Sequence, residues 1–288
     1  MQAWSVALLA GALACGTPVV QPAPSPIPGP TPPVTENTSH TAPPGGWNVH
    51  FSPGVAAYRT TRTAAIEAPS DSGLHREISS NTTYESISLE GSMVPDTMLI
   101  TVIADSFATT TQGRIGSVQP VQLPAKISAR LATGSITVDG PAQTVKCDPV
   151  ASALASDLRN LFPPVPLGLT PGMSWSDSIQ TSGCQANIPT VIDLRRVFTV
   201  SGETRGQGQP LLIILRTDTI IARGEGSQLQ HRIGLQAEGT GHATYSFDPT
   251  AGRVTRLTTD QNLILSFTTS AQTIRFRETS QQEFLLLR

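Results

Sequence analysis

The sequence predicts a mainly β protein of antiparallel strands, with one short helix set between two strand-rich blocks. Three observations carry that prediction. From Trp47 onward, short segments rich in Thr, Val, Ile and Arg are punctuated by Gly, Pro, Asp and Asn. Within several of these segments apolar and polar residues alternate with period two, the mark of a strand wet on one side. A single stretch, just after Cys147, carries apolar residues at helical spacing instead.

The chain has 288 residues, 38% hydrophobic and 14% charged, so it can bury a core while Ser, Thr and Gln supply most of its surface. A length of this order fits one large β domain plus a tail. The formal net charge of −2 gives no field that would gather phosphates, which excludes nucleic acid as a partner.

Taken in chain order, residues 1–14 come first. Val6 to Ala14 is an uncharged, mostly apolar run, too short for a bilayer span but suited to a signal-peptide core. It ends in Ala12-Leu13-Ala14-Cys15, which resembles the lipobox of bacterial lipoprotein precursors. The resemblance implies removal of residues 1–14 and lipidation of Cys15. Ala12 stands where Leu is usual and Met1 to Ser5 lack Lys and Arg, so ordinary cleavage after Ala14, giving a secreted or periplasmic protein, is the alternative. Whether Met1 is the true start is open. Gly16 after the cysteine resembles the sorting pattern for the outer membrane, where the host has one. Residues 15–46 form the lipid anchor and a linker. From Gly16 to Gly46 there are ten prolines and one charged residue, Glu36. Such a composition cannot form a core and favours extended polyproline II, so it reads as a spacer.

Residues 47–288 are the β-rich domain, divided into blocks of about 50–140 and 190–288. Strands are expected near Ala57 to Ala68, Gly73 to Glu90, Thr97 to Thr110 and Lys126 to Val138. In the second block Leu229, His231, Ile233, Leu235 and Ala237 alternate with polar neighbours or glycine. Ala243, Tyr245 and Phe247 repeat the pattern, as do Leu263, Leu265 and Phe267. Ile274 and Phe276 alternate with Arg275 and Arg277. The runs Leu211 to Leu215 and Phe284 to Leu287 are continuous and predict strands buried on both faces or contacting a covering element. Between two strands, Asp248-Pro249-Thr250-Ala251-Gly252 supplies a fixed φ and a residue free to take positive φ, which predicts a short hairpin. The blocks leave open a duplicated, pseudo-twofold pair of half-barrels, although no residue-by-residue repeat supports it.

Residues 141–189 connect the blocks. Asp148 is placed to cap a helix, Pro149 to occupy its first turn, and Val150, Leu154, Leu158 and Leu161 lie on one face before Phe162-Pro163-Pro164 ends it. With Cys15 assigned to lipid, Cys147 and Cys184 form an even pair in an oxidising compartment, which predicts one structural disulfide around that helix.

In the same region Phe162-Pro163-Pro164-Val165-Pro166 and Leu169-Thr170-Pro171-Gly172-Met173-Ser174-Trp175 resemble the "proline, then gly-x-x-trp" element of uncharacterised bacterial lipoproteins with large β-domains. Phe247-Asp248 to Gly252-Arg253-Val254 resembles their hairpin. Those proteins are similar to open β-barrels that carry lipids or lipoproteins across the periplasm. The resemblance implies an open or half barrel and identifies no catalytic residue.

No motif for chemistry is visible. Gly224-Glu225-Gly226-Ser227 lacks the spacing of a nucleophile elbow. His40, His50, His75, His231 and His242 are never paired at metal-ligand spacing, and His231, on the apolar side of its strand, reads as a core histidine. Asp105, Asp193, Asp218, Glu225, Glu238 and Asp260 are scattered. Gly202, Gly206, Gly208, Gly224 and Gly226 read as turn glycines, not as a phosphate loop. Arg195-Arg196, Arg275 and Arg277 read as a solvated face.

No cofactor or metal is expected. The function read from this is a non-catalytic, lipid-anchored protein of the bacterial cell envelope, held at the membrane by its N-terminal lipid and binding an apolar ligand or an envelope protein. An unfilled apolar cavity between sheet and helix would favour ligand binding. The alternatives are a surface adhesion or envelope-assembly module, with a filled interior and an exposed apolar patch, and an unrecognised hydrolase.

Overall fold

A computed structural model describes residues 42–70, 73–112, 125–132, 135–139, 147–185, 188–206, 209–228, 231–270 and 272–287. Residues 1–41, which hold the expected signal segment, Cys15, most of the proline-rich stretch and His40, lie outside the described residues.

The strands are β1 (Gly54–Ser70), β2 (Gly73–Gly91), β3 (Thr97–Gln112), β4 (Ala125–Ala132), β5 (Ser135–Asp139), β6 (Ser174–Gln185), β7 (Ile188–Gly206), β8 (Gln209–Gln228), β9 (His231–Asp248), β10 (Arg253–Thr268) and β11 (Thr273–Leu286), with helix α1 (Pro149–Leu161) between β5 and β6. All eleven strands join in one antiparallel sheet, ordered β5-β4-β3-β2-β1-β11-β10-β9-β8-β7-β6. The two strand blocks are therefore continuous meanders spliced where β1 pairs with β11, from Tyr58 opposite Leu286 to Glu67 opposite Arg277. They are not a pair of separate half-barrels. The sheet curls into an open half-barrel. Helix α1 contacts β6 at one edge of the sheet and β4 and β5 at the other, so it spans the gap that the curl leaves.

The alternation predicted from sequence decides which way each strand faces. On β2, Glu85, Ile87 and Leu89 are buried while Tyr84 is exposed. On β9, Ala243, Tyr245 and Phe247 point inward, as do Leu235 and Ala237. The side chains of Leu229 and His231 lie outside the described residues. Bulges adjust this pattern locally. One at Thr255 lets both Val254 and Leu257 face the core. Another opposite Tyr84 and Glu85 shifts the register with β3.

Several expectations are corrected. Lys126 to Val138 falls on two antiparallel strands, β4 and β5, because Ala132 pairs with Ser135 and Ser128 with Asp139. In Leu211 to Leu215, burial on both faces holds for Leu212, Ile213 and Ile214, but Leu215 is 43% exposed. In the last run Phe284 is buried, Leu285 and Leu286 are half-buried, and Leu287, just past the end of β11, is 46% exposed. Gly224 and Gly226 lie inside β8 and not in a turn. A Cβ on Gly224 would meet the Pro189 carbonyl oxygen and Ile188 of β7, so the glycine permits close strand approach.

The helix forms as its sequence predicts. Asp148 accepts hydrogen bonds from the backbone of Val150 and Ala151, Pro149 sits in the first turn, and the Phe162 N–H closes the last turn on Leu158. Leu154, Leu158 and Leu161 are buried in the larger core with Ile87, Ile100, Phe198 and Leu257. Burial of each such leucine contributes about 1.5–3 kcal/mol. Cys147 and Cys184 form a disulfide with Cα atoms 5.3 Å apart, tying the start of the helix to the end of β6.

The proline and Gly-x-x-Trp segment closes one end of this core. Trp175 donates from Nε1 to the Pro164 carbonyl at 2.7 Å and stacks on Phe198. Trp47 is buried and pairs through its backbone with Leu169. The Asp248 to Gly252 hairpin is built as predicted: Asp248 accepts from the backbone of Thr250 and Ala251, and Gly252 adopts φ +65°.

Candidate functional site

A leucine-faced helix laid on a curled sheet has a second side, and that side is polar. Ser152, Ser156, Arg159 and Asn160 line a partly open cavity of about 250 Å³ together with residues of β1 and β6–β11. Strand register sorts the opposite wall into rows. Asp177, Arg196, Asp218, Gly241 and Gln261 lie side by side across β6 to β10. The next row is Ile179, Leu194, Ile220, Gly239, Leu263 and Glu278, and the one after it Thr181, Ile192, Ala222, Ala237, Leu265 and Phe276. The wall thus passes from a charged belt to an apolar surface. Ile188, Ala222, Leu235, Ala237 and Leu265 form a second buried cluster there, separate from the main core.

The belt is held by ion pairs. Arg216 donates to Asp218 Oδ2 from Nε at 3.2 Å and from Nη2 at 2.9 Å, and its Nη1 donates to Asn160 Oδ1 of the helix at 3.0 Å and to the Tyr245 hydroxyl. Both charged side chains are 1% exposed. Arg196 forms a two-pronged pair with Asp177 and donates from Nη1 to the Arg159 carbonyl at 3.0 Å, near the C-terminal end of the helix, where a cation is favoured. These contacts pin α1 to the sheet.

A third polar group lies toward β1 and β2. Arg62 donates to Gln282 at 2.9 Å, Gln282 donates to Asp157 of the helix at 2.8 Å, and Arg62 lies 3.5 Å from the same carboxylate. Glu85 is 2% exposed beside them. Thr60 and Asp157 stand beside it, but neither of its oxygens has a hydrogen bond of good geometry among the described residues. Burial first, and then the charge of Asp157, push its carboxyl up from 4.5 to about 8. Burial likewise raises Asp157. Two carboxyls in one dry site hold a shared proton more readily than two charges. Burial also raises Glu278, which accepts from Gln185 at 3.0 Å.

Of the residues singled out from sequence, Asp218 and Arg196 belong to this belt. Arg196 departs from the solvated face expected for it, being 2% exposed, whereas Arg195, Arg275 and Arg277 are exposed. Asp105, Asp193, Glu225, Glu238 and Asp260 are not brought to the cavity. His50, His75 and His242 are exposed and unclustered. Among the described residues no group of three metal-ligating side chains comes together. Arg216, Asp157, Glu85, Arg62 and Arg159 were not legible as site residues. A signal existed for Arg216: with Asp218 it occupies inward positions of the alternating series Leu212, Ile214, Arg216, Asp218, Ile220, Ala222.

The class this geometry defines is an open antiparallel half-barrel with a helix on its concave side and a two-toned cavity between them. No protein-family model matches the chain, and no curated protein matches it. Among solved structures it is similar to Neisserial surface protein A, at 7% identity over 81% of this chain and 98% of that one, with a TM-score of 0.21. It is also similar to an outer membrane channel from Pseudomonas putida F1, at 6% identity over 83% and 98%, with a TM-score of 0.21. A lipid-facing barrel turns its apolar residues outward. The outward positions Thr217, Thr219, Arg223 and Glu225 of β8 are exposed and polar, with aliphatics such as Ile221 interspersed, while the apolar rows face in. No helix among the described residues is long and apolar enough to cross a membrane.

Proposed function

We propose that this is a lipid-anchored protein of the bacterial envelope that binds an apolar chain in the cavity between α1 and the sheet, without catalysis. One observation carries the reading: the rows through Ile220 and Ala222 present inward apolar surface that the helix does not fill, leaving a space of about 250 Å³. Ligand pockets combine such walls with a few fixed polar groups. The volume sits just under the roughly 300–1,000 Å³ of pockets that enclose a drug-sized molecule, which suits a single chain. A non-catalytic role is favoured because the two most buried arginines are each committed to a carboxylate, Arg216 to Asp218 and Arg196 to Asp177. The anchor follows from Ala12-Leu13-Ala14-Cys15 and the proline-rich spacer behind it.

The test begins with the full chain purified from its native membrane. Intact mass should start at acylated Cys15, and solvent extraction should release bound lipid. After delipidation the fluorescent apolar probe N-phenyl-1-naphthylamine should bind saturably, and Ala237→Trp, which fills the cavity, should abolish binding in a folded protein. A chain retaining Met1 to Ala14 without acylation would overturn the anchor. A delipidated protein that takes up no probe would overturn the ligand.

A further inference from the structure

The charges lining the cavity are unequally matched. Arg216 is neutralised by Asp218, and Arg62 by Asp157. Two groups are exceptions. Glu278 forms no ion pair among the described residues, accepts from Gln185, and is pushed by burial toward its uncharged form. Arg159 lies on the cavity side of α1, and among the described residues its guanidinium makes no ion pair or hydrogen bond. Its one electrostatic neighbour is the like charge of Arg196, and burial together with that charge lowers its pKa. Ser152 and Ser156 stand two turns and one turn before it on the same face. Ser152 Oγ already accepts from the Cys184 N–H at 3.2 Å, which leaves its own hydrogen free to donate. The helix therefore offers the cavity a line of donors ending in an uncompensated cation, beside the apolar rows of β8 to β10. An acceptor-rich, negative group would complete this arrangement, whereas a neutral or cationic one would leave Arg159 unmatched in a partly dry site.

We infer that the ligand is a single-chain anionic amphiphile, its carboxylate or phosphate head bound by Arg159 with Ser156 and its chain lying along Ala222, Ala237 and Leu265. This rests on the chain-binding reading above and adds the chemistry of the head. A charge-assisted, two-pronged contact of guanidinium with such a head is worth about tenfold or more in affinity.

The experiment uses the delipidated full chain and displacement of N-phenyl-1-naphthylamine by four probes sharing a twelve-carbon chain: dodecanoate, dodecyl phosphate, dodecanol and dodecyltrimethylammonium. The anionic probes should compete at least about tenfold better than dodecanol, and the cation worst. Arg159→Gln should remove most of that advantage and leave dodecanol unchanged. The variant keeps the fold because only the backbone carbonyl of Arg159 is used by Arg196. The stronger of the two anions tells a fatty-acid head from a phospholipid head, and either supports the inference. Equal competition by dodecanoate and dodecanol, or an Arg159→Gln effect shared by both, would overturn the head assignment while leaving chain binding intact. Failure of the fluorescent probe to bind at all would remove both.

Discussion

Replacing Glu85 with glutamine should change how stability depends on pH more than it changes stability at any one pH. Glu85 is buried with its carboxyl raised from 4.5 to about 8. Between those values the unfolded chain has released its proton and the folded chain has kept it, so the folded state binds more protons and stability falls as pH rises through the window. At roughly 1.4 kcal/mol per pH unit, the loss amounts to about 4 kcal/mol, shared with Asp157 because the two carboxyls titrate as a pair. That is a large part of the 5–15 kcal/mol typical of a folded domain. The glutamine amide cannot ionise, so Glu85→Gln should gain on the wild type by about this amount between pH 5 and pH 9. Urea unfolding of both proteins at pH 5, 7 and 9 measures the difference directly. Asp157→Asn supplies an internal check, since removing the neighbouring charge should shrink the wild-type slope. A difference between wild type and Glu85→Gln that stays constant from pH 5 to pH 9 would refute the assignment of a buried, protonated Glu85.

Other perturbations test separate parts of the fold. Reducing the Cys147–Cys184 disulfide, which closes a 37-residue separation, should cost about 3–4 kcal/mol on the chain-entropy account, read as a lower urea midpoint with reductant present. Gly252→Ala should destabilise by about 2 kcal/mol or more, since φ is +65° and a Cβ would come within 2.6 Å of the His50 carbonyl oxygen; thermal unfolding reports it. Arg216→Met should cost about 3–5 kcal/mol by stranding Asp218, and the double change with Asp218→Asn should recover much of it, as a double-mutant cycle in urea would show.

Much of the fold was legible because strand and helix periods are local. The alternation of Ala243, Tyr245 and Phe247 fixes which side faces the core wherever the partner strand lies. Asp148, Pro149 and the leucines through Leu161 specify a capped amphipathic helix by themselves. The Asp248 to Gly252 turn needs only its own five residues. The linker composition likewise states what it cannot form.

What tertiary structure decided was everything that depends on registry between distant segments. The pairing of β1 with β11 joins residues more than two hundred positions apart, and no local pattern distinguishes it from two separate half-barrels. Lys126 to Val138 reads as one strand because its pattern runs on through both halves, yet pairing divides it into β4 and β5. The sequence showed Arg196 beside Arg195 and suggested a solvated pair. The pleat sends neighbours to opposite faces, and only the pairing with β6 and the helix laid over the concave side made Arg196 a buried partner of Asp177 and left Arg195 in water. The cavity, its charged belt and the unmatched Arg159 arise from laying the polar side of one helix over rows contributed by several strands, because a site made across a sheet is written perpendicular to the chain.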